Sequence, residues 1–384
     1  MLDPADLPYD CPLNGSTGLA PWQGLVADVS VQVWHQDMTM TVKKLTKKAL
    51  DGWVQGLVAT DTVMGVQAKG DRFDFSPLAS AKDLRLDYDV TLQPPKQFFL
   101  PPCETLLRYQ VGGAYTSVLP QGKLILFGVH PYDMIAINQL DQLFSQDNCD
   151  VHYLERRKNI TIVALDVKTP SKNVFASSMN TAVVKEGYDV LLTDVGDGFV
   201  AEAATDKGEA LLARAKGAAD ATPEDLSNRK QVWEHNTKHL NQHPLKCDPA
   251  YLPKLLGKAY KHPVWERRAK TCFSCGSCNL VCPTCYCFDV QDDVSWDRTR
   301  GTRERAWDGC LLDGFTKVAG NHEFRKARAD RFRHRLYRKA KYVPAKIGGQ
   351  IACVGCGRCV GACLPDIANP VAVYNELLDE IGIS

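Results

Sequence analysis

Two short runs of cysteine carry the clearest chemistry in this sequence of 384 residues. The first run has the spacing C-x2-C-x2-C-x3-C followed by proline, and comprises Cys272, Cys275, Cys278, Cys282 and Pro283. The second run repeats the cysteine spacing, with one extra residue before the proline, and comprises Cys353, Cys356, Cys359, Cys363, Leu364 and Pro365. In proteins with this pattern, three thiolates of a run bind one 4Fe-4S cluster and the fourth binds the other cluster. The sequence therefore predicts two 4Fe-4S clusters, held through the cysteines alone.

The predicted ligand sets are crossed between the two runs. Cluster 1 is predicted to take Cys272, Cys275, Cys278 and Cys363. Cluster 2 is predicted to take Cys353, Cys356, Cys359 and Cys282. The alternative is zinc, but a zinc site uses two separated C-x2-C pairs that close a tetrahedron. Within the runs, Gly276, Gly355 and Gly357 allow sharp turns that direct backbone N–H groups at sulfur.

Three further cysteines lie close to the first run in sequence: Cys285, Cys287 and Cys310. They could bind an additional cluster, together with Cys247 or a residue of a partner. They could equally be buried thiols beside the clusters, because free cysteine is among the most buried residue types. Nothing outside the cysteines resembles an acid–base pair, a nucleophile or a phosphate loop, so we expect electron relay and no catalytic residue on this chain.

A basic segment separates the two runs. The stretch 325–346 carries ten Lys or Arg residues, interleaved with Phe332, His334, Tyr337 and Tyr342. Such a segment can bind nucleic acid. Because a 4Fe-4S cluster with four thiolates is anionic, however, basic residues between the runs can also cover the clusters and dock an acidic partner. We favour the second interpretation.

Composition places the chain among ordinary globular proteins. It has 45% hydrophobic and 24% charged residues and a formal net charge of +1, which gives no global attraction to nucleic acid or acidic membranes. No apolar run approaches the roughly 18 residues that span a bilayer. The N-terminal sequence MLDPADLPYD lacks the basic and apolar regions of a secretory signal, so we expect a cytoplasmic protein.

The pattern along the chain predicts an α+β fold, in which an N-terminal mixed α/β domain precedes a mostly helical C-terminal domain with a two-cluster ferredoxin-like unit. Strands are predicted near 26–34, 123–129, 160–167 and 189–193, and a helix at 132–144. The predicted parts are an irregular extension (1–24), an α/β docking domain (25–215), a helical connector (216–270) beginning near Thr222, and the dicluster domain (271–384).

These residues resemble a known family, the 4Fe-4S dicluster proteins that serve as the beta subunit of cytoplasmic NiFe sulfhydrogenases and as the corresponding iron–sulfur subunit of anaerobic sulfite reductase. The resemblance covers about residue 41 to the C-terminus. It is most specific in CGSCN leading to VCPTCYCFD at 281–289, in WDGC at 307–310, and in CVGCGRC at 353–359. In the N-terminal half it includes LDYD at 86–89, PPKQFFLPPCE at 94–104 and GVHP at 128–131.

One departure from the family concerns the N-terminal half. Members commonly carry four cysteines there that we interpret as a third cluster site, and this sequence has Tyr132, Val167, Val174 and Ala176 at those positions. All four replacements are apolar or aromatic, so we predict that this site has been lost and that the domain remains as a docking module. Cys103 and Cys149 lie nearby but are too few to hold a cluster.

The resemblance implies a place in a complex. A partner subunit with FAD would exchange electrons with NAD(P), and this chain would pass them to a catalytic subunit, for which we favour a NiFe hydrogenase. The alternatives are an anaerobic sulfite reductase or a flavin oxidoreductase complex linked to heterodisulfide reductase. A different class of function, a free-standing iron–sulfur redox sensor or nucleic-acid-associated module, stays open because the substrate chemistry would lie on another chain.

Overall fold

The computed structural model describes residues 41–146 and 148–382. The predicted extension (1–24) and the predicted strand at 26–34 lie outside the described residues. The strands in chain order are β1 (Val42–Thr46), β2 (Val63–Lys69), β3 (Arg72–Pro77), β4 (Cys103–Gln110), β5 (Tyr115–Ser117), β6 (Leu124–Val129), β7 (Ile160–Leu165), β8 (Val190–Asp194), β9 (Gly198–Ala203), β10 (Ala219–Asp220), β11 (Phe288–Val294), β12 (Arg300–Trp307), β13 (Lys317–Val318) and β14 (His322–Glu323). The helices are α1 (Lys47–Thr60), α2 (Pro131–Phe144), α3 (Val151–Asn159), α4 (Asp206–Leu212), α5 (Pro223–His239), α6 (Leu252–Lys258), α7 (Val264–Ala269), α8 (Ser277–Leu280), α9 (Arg328–Tyr337), α10 (Arg358–Gly361) and α11 (Pro370–Ile381).

A mixed sheet of eight strands forms the N-terminal half, in the order β10-β1-β9-β8-β7-β6-β2-β3. The central strands β2, β6, β7 and β8 pair in parallel, and the strands outside them pair antiparallel. Strands β6 (LILFGV) and β7 (ITIVAL) are almost entirely apolar and buried, as expected for parallel strands that are covered on both faces. The mixed α/β character predicted from the sequence is confirmed.

Local signals set the helices beside this sheet. Helix α2 begins with Pro131 at its first turn, where the missing N–H costs no hydrogen bond. Helix α5 begins after Thr222, whose side chain accepts from the N–H of Asp225 while the Asp225 carboxylate accepts from the N–H of Thr222. The predicted helix at 132–144, the predicted helix start at Thr222 and the predicted strands near β6, β7 and β8 are therefore confirmed.

A second sheet joins distant parts of the chain. Its four antiparallel strands have the order β11-β12-β4-β5, so a hairpin that follows the first cysteine run pairs with strands from the N-terminal half. The buried Arg305 of β12 donates to Glu104 of β4 at 2.9 and 2.6 Å. The sequence analysis did not predict this hairpin, because β11 is exposed along nearly its whole length and lacks an apolar alternation.

The remaining helices pack around the cysteine runs. Residues of α6, α7, α9 and α11 share one apolar core with Cys272, Cys278 and Cys359. Helix α5, by contrast, packs against β8 and β9 of the large sheet. The segment predicted as a connector thus contributes to both halves, and the domain boundaries stay a prediction. Among the described residues, no helix has a stretch both apolar and long enough to cross a bilayer.

Candidate iron-sulfur centre

The two cysteine runs fold into matching turns. Ser274 and Gly355 have positive φ angles of 54° and 64°, and two residues later Gly276 and Gly357 have φ angles of 74° and 78°. Gly276 and Gly357 each precede a one-turn helix, α8 and α10, and these helices pack against each other. Left-handed backbone is easily reached by glycine and costs other residues free energy. The repeated spacing in sequence is therefore a repeated backbone geometry.

Residues of the second run line a small cavity. Its wall includes four cysteines, Cys353, Cys356, Cys359 and Cys282. Cys282 belongs to the first run, and it is the residue that the sequence pattern assigns to cluster 2. The donor set of four thiols fits a 4Fe-4S cluster with four thiolate ligands. Ligation itself stays a prediction.

The other predicted set lies nearer the surface. Cys272 and Cys278 are buried, Cys363 is partly buried, and Cys275 is exposed. Cys278 lies close enough to Cys363 for their charges to interact, so the last cysteine of the second run approaches the first run. The structure thus places Cys282 beside the second run and Cys363 near Cys278, and the crossed ligand sets stay a prediction.

Backbone N–H groups face the thiols in both runs. The N–H of Ser274 donates to Sγ of Cys272 at 3.4 Å. The N–H groups of Ser277 and Gly355 donate in the same way to Cys275 and Cys353. Such donors favour the thiolate and raise the reduction potential of a bound cluster. Ser274, which the sequence analysis passed over, occupies the position that glycine holds in the second run.

Burial disfavours the thiolate form of the cysteines in both runs unless cations lie close to the sulfur atoms. Burial raises the pKa of Cys353 and of Cys278 to about 12, because an apolar environment disfavours the charged form. Arg335 and Lys339 both line the cavity and are themselves buried. Their positive charges compensate anionic sulfur, and iron binding displaces the thiol protons.

These cations come from one face of the predicted basic segment. Arg331, Arg335 and Lys339 follow each other at steps of four residues, which places them on one side of α9 and the π-helical turn after it. Arg331 donates to Ser274 Oγ at 3.2 Å, and Arg335 donates to the carbonyl of Cys278 at 3.3 Å. The buried side of this segment therefore faces the cysteine loops.

A second, smaller cavity lies beside the first. Its wall includes the three additional cysteines, Cys285, Cys287 and Cys310. Arg335 and Lys339 line both cavities, so the two share a wall. Cys247 does not line this cavity and packs instead against the C-terminal helical core. The structure thus brings together three of the cysteines that the sequence left unassigned.

The second run also packs directly on the large-sheet half. The N–H of Phe175 donates to the carbonyl of Gly355 at 2.7 Å. Arg358, which follows Gly357, makes two hydrogen bonds of 2.6 Å with the carboxylate of Asp133, and both side chains are buried. Arg358 also donates to the carbonyl of Thr91 at 2.8 Å. This loop is therefore positioned by residues that lie far away in sequence.

The four positions at which the sequence analysis predicts the loss of a third site are buried in the large apolar core, and they comprise Tyr132, Val167, Val174 and Ala176. The Tyr132 hydroxyl lies 2.7 Å from Nδ1 of His130, and the His130 ring stacks on Tyr88 with ring centroids 4.0 Å apart. Burial, with Arg358 close by, holds the pKa of His130 well below its usual range, so the ring is neutral. Cys103 is exposed at the start of β4. These four positions are therefore filled by core packing, and the loss of a third site stays a prediction.

Two residues near the smaller cavity were not singled out by the sequence analysis. Lys96 is buried and donates to the carbonyl of Cys285 at 2.7 Å. Asn279 donates from Nδ2 towards Sγ of Cys310 at 3.3 Å and of Cys285 at 3.5 Å. A lysine inside the largely apolar segment PPKQFF was the available signal for Lys96.

Comparison with known proteins agrees with this geometry. The family described as the 4Fe-4S dicluster domain matches residues 271–367. The beta subunit of sulfhydrogenase 2 from Pyrococcus furiosus is 33% identical over 340 residues, which cover 88% of this chain and 98% of that protein. The similarity therefore extends through the large-sheet half as well as the cysteine runs. On this evidence the chain belongs to the family of 4Fe-4S dicluster proteins that includes the sulfhydrogenase beta subunits, and it is an iron–sulfur electron-transfer protein.

Proposed function

We propose that this chain relays electrons between a partner subunit that binds FAD and NAD(P) and a catalytic subunit of a cytoplasmic NiFe hydrogenase. It would hold two 4Fe-4S clusters, with the ligands Cys272, Cys275, Cys278 and Cys363 for cluster 1 and Cys353, Cys356, Cys359 and Cys282 for cluster 2. When bound, such clusters accept and release one electron at a time. The similarity to a sulfhydrogenase beta subunit supports the choice of complex.

The presence of Cys282 among the cysteines of the second run carries this proposal. A single-run site would leave Cys282 with its own run, whereas here it lines the same cavity as Cys353, Cys356 and Cys359. Exchange of the fourth cysteine is the feature that distinguishes two-cluster ferredoxin units from isolated cysteine motifs. The exchange also keeps the two sites adjacent, which suits electron transfer between them.

The residues around the two sites differ in their access to solvent. The second run packs against residues of the large-sheet half such as Phe175, which is buried. The first run carries apolar side chains at the surface, since Phe273 is 65% exposed and Leu364 is 89% exposed. These two residues directly follow Cys272 and Cys363, both predicted ligands of cluster 1. We therefore place the contact with an electron-exchanging partner at this surface.

The ligand sets are tested by single substitutions in the full chain, purified anaerobically. Cys278→Ala should remove about four irons per chain and abolish or convert the signal of one cluster while the other remains. Cys356→Ala should affect the other signal, and Cys103→Ala, at an exposed thiol outside both sets, serves as the control. Unchanged iron and unchanged signals in both ligand variants would refute the assignment.

The complex is tested by anaerobic native purification with identification of the copurifying subunits. Nickel together with a flavoprotein is the expected result. Sirohaem without nickel would instead place the chain in a sulfite reductase. Clusters in a chain that purifies without any partner would point to a free-standing redox module.

A further inference from the structure

Arg335 is a buried cation whose hydrogen-bond donors are only partly used. Its side chain is 2% exposed, and Nη2 donates to the carbonyl oxygen of Cys278 at 3.3 Å. Nε and Nη1 have no hydrogen-bond partner within the described residues. Buried charged donors are rarely left unpaired, because each loses its hydration when the protein folds. The free N–H groups of Arg335 therefore indicate an acceptor that the surrounding protein atoms do not supply.

Neighbouring cations differ from Arg335 because aromatic rings of the protein pair with them. The Nζ atom of Lys96 lies 4.1 Å from the ring centroid of Trp307. The guanidinium carbon of Arg338 lies 4.6 Å from the ring centroid of Tyr286. A cation over the face of an aromatic ring is attracted by the electrons of the ring. Among residues 41–146 and 148–382, neither a ring nor a carboxylate pairs with Arg335, and the groups that act most strongly on its charge are cysteine thiols.

Arg335 contacts both predicted cluster sites. Its Nη2 atom donates to Cys278, a predicted ligand of cluster 1. The same side chain lines the cavity of the second run, whose wall also includes three predicted ligands of cluster 2, Cys353, Cys359 and Cys282. The thiols on which its charge acts come from both sets and include Cys278, Cys359 and Cys282. One cation therefore serves two sites.

Helix α9 fixes the position of Arg335. Phe332 and Leu336, on either side of it in the helix, are buried in the apolar core that also contains Cys278. Arg331, one turn earlier, forms an ion pair with Asp313 at 2.8 Å. These contacts hold the helix independently of any cluster. The charge of Arg335 can therefore act on the clusters without a rearrangement of the protein.

We propose that Arg335 donates its free N–H groups to sulfur atoms of both clusters and thereby raises both reduction potentials. The inference rests on the proposed function, because it requires the two predicted ligand sets. Reduction adds one negative charge to a cluster, and a nearby cation with hydrogen bonds to sulfur favours that reduced form. The backbone N–H groups of Ser274 and Gly355, by contrast, each serve a single run. Arg335 therefore shifts two potentials in the same direction.

The test is a redox titration of the full chain, purified anaerobically and followed by EPR. Arg335→Gln removes the charge and should lower both midpoint potentials. At a fixed applied potential, the ratio of reduced to oxidised cluster should fall at least about tenfold for each cluster, which corresponds to about 59 mV for one electron. Arg335→Lys keeps the charge and should recover most of this shift. The control is Arg333→Gln on the same helix, because Arg333 pairs with Asp330 at 2.7 Å and lies 4.1 Å from the ring centroid of Tyr260; it should keep the wild-type potentials.

Two results would overturn the proposal while the ligand sets stand. Wild-type potentials in Arg335→Gln, with both clusters present, would leave Arg335 as a packing residue that holds the carbonyl of Cys278. A shift of only one cluster would refute its position between the two sites. A wild-type chain without two 4Fe-4S clusters would instead refute the ligand sets, and this inference with them.

A measurement on the wild type decides if Arg335→Gln does not assemble its clusters. Pulsed EPR of the reduced chain, prepared with ¹⁵N-labelled arginine, should detect nitrogen coupled to each of the two clusters. Arg335→Lys, in which this position carries no label, should lose these couplings. Spectra that do not differ between the wild type and Arg335→Lys would overturn the proposal.

Discussion

The two cysteine runs offer a matched pair of glycines that tests how the second run is positioned. Gly276 and Gly357 occupy equivalent positions, with φ angles of 74° and 78°, so replacement by alanine incurs the same conformational cost of about 1–2 kcal/mol. Their surroundings differ. A Cβ at Gly276 would lie 2.8 Å from Cδ2 of Leu312, a side chain that can move. A Cβ at Gly357 would overlap the backbone carbonyl of Asn173, whose carbon would be 2.5 Å away.

Gly357→Ala should therefore cost more than Gly276→Ala. The added methyl group forces the loop away from residues 173–176, and the hydrogen bonds from Phe175 N–H to Gly355 and from Thr181 to Val354, both 2.7 Å, are lost. Each buried group left unpaired costs about 1–3 kcal/mol. With the conformational cost included, we expect Gly357→Ala to lose at least about 3 kcal/mol of stability and Gly276→Ala about 1–2 kcal/mol.

The assay is anaerobic guanidinium unfolding of the full chain, followed by tryptophan fluorescence and by cluster absorbance. Gly357→Ala should also lose the signal of cluster 2 first, because Cys356 and Cys359 flank the altered residue. Gly276→Ala should keep that signal. Equal destabilisation of the two variants, within about 0.5 kcal/mol, would show that packing on residues 173–176 does not position the second run.

Two further predictions concern buried charges, one between the second run and the large-sheet half and one within that half. Arg358→Met leaves the Asp133 carboxylate buried without its partner, and should lower the free energy of unfolding by about 3–5 kcal/mol. The double variant with Asp133→Leu should recover most of this free energy in the same unfolding assay. No recovery would contradict the pairing. Burial raises the pKa of Asp166 from 3.8 to about 6, so the folded protein favours the neutral carboxyl group. The protonated Asp166 therefore contributes its full stability below pH 3.8, and this contribution is lost as the pH rises through about 6. Asp166→Asn should therefore gain about 1 kcal/mol relative to the wild type between about pH 5 and about pH 7, and a constant difference between the two proteins would contradict this.

Local patterns in the sequence were sufficient for several elements of the fold. The apolar runs of β6 and β7 and the capping residues of α5 specify their structure within a few residues, because burial and capping act locally. The β11–β12 hairpin could not be predicted in this way. Its strand β11 is mostly exposed, and β12 gains its partner β4 from about 200 residues earlier in the chain.

The sequence by itself determined the kind of site, since four cysteines at fixed short spacings define a 4Fe-4S motif within one loop. The same local spacing also anticipated the turns at Gly276, Gly355 and Gly357. Only the tertiary structure decided which cations and thiols surround the site. Lys96 meets Cys285 across 189 residues of sequence, and Cys310 joins Cys287 through the hairpin and not through a motif. Contacts of this kind depend on how sheets and helices pack, and no periodicity along the chain encodes them.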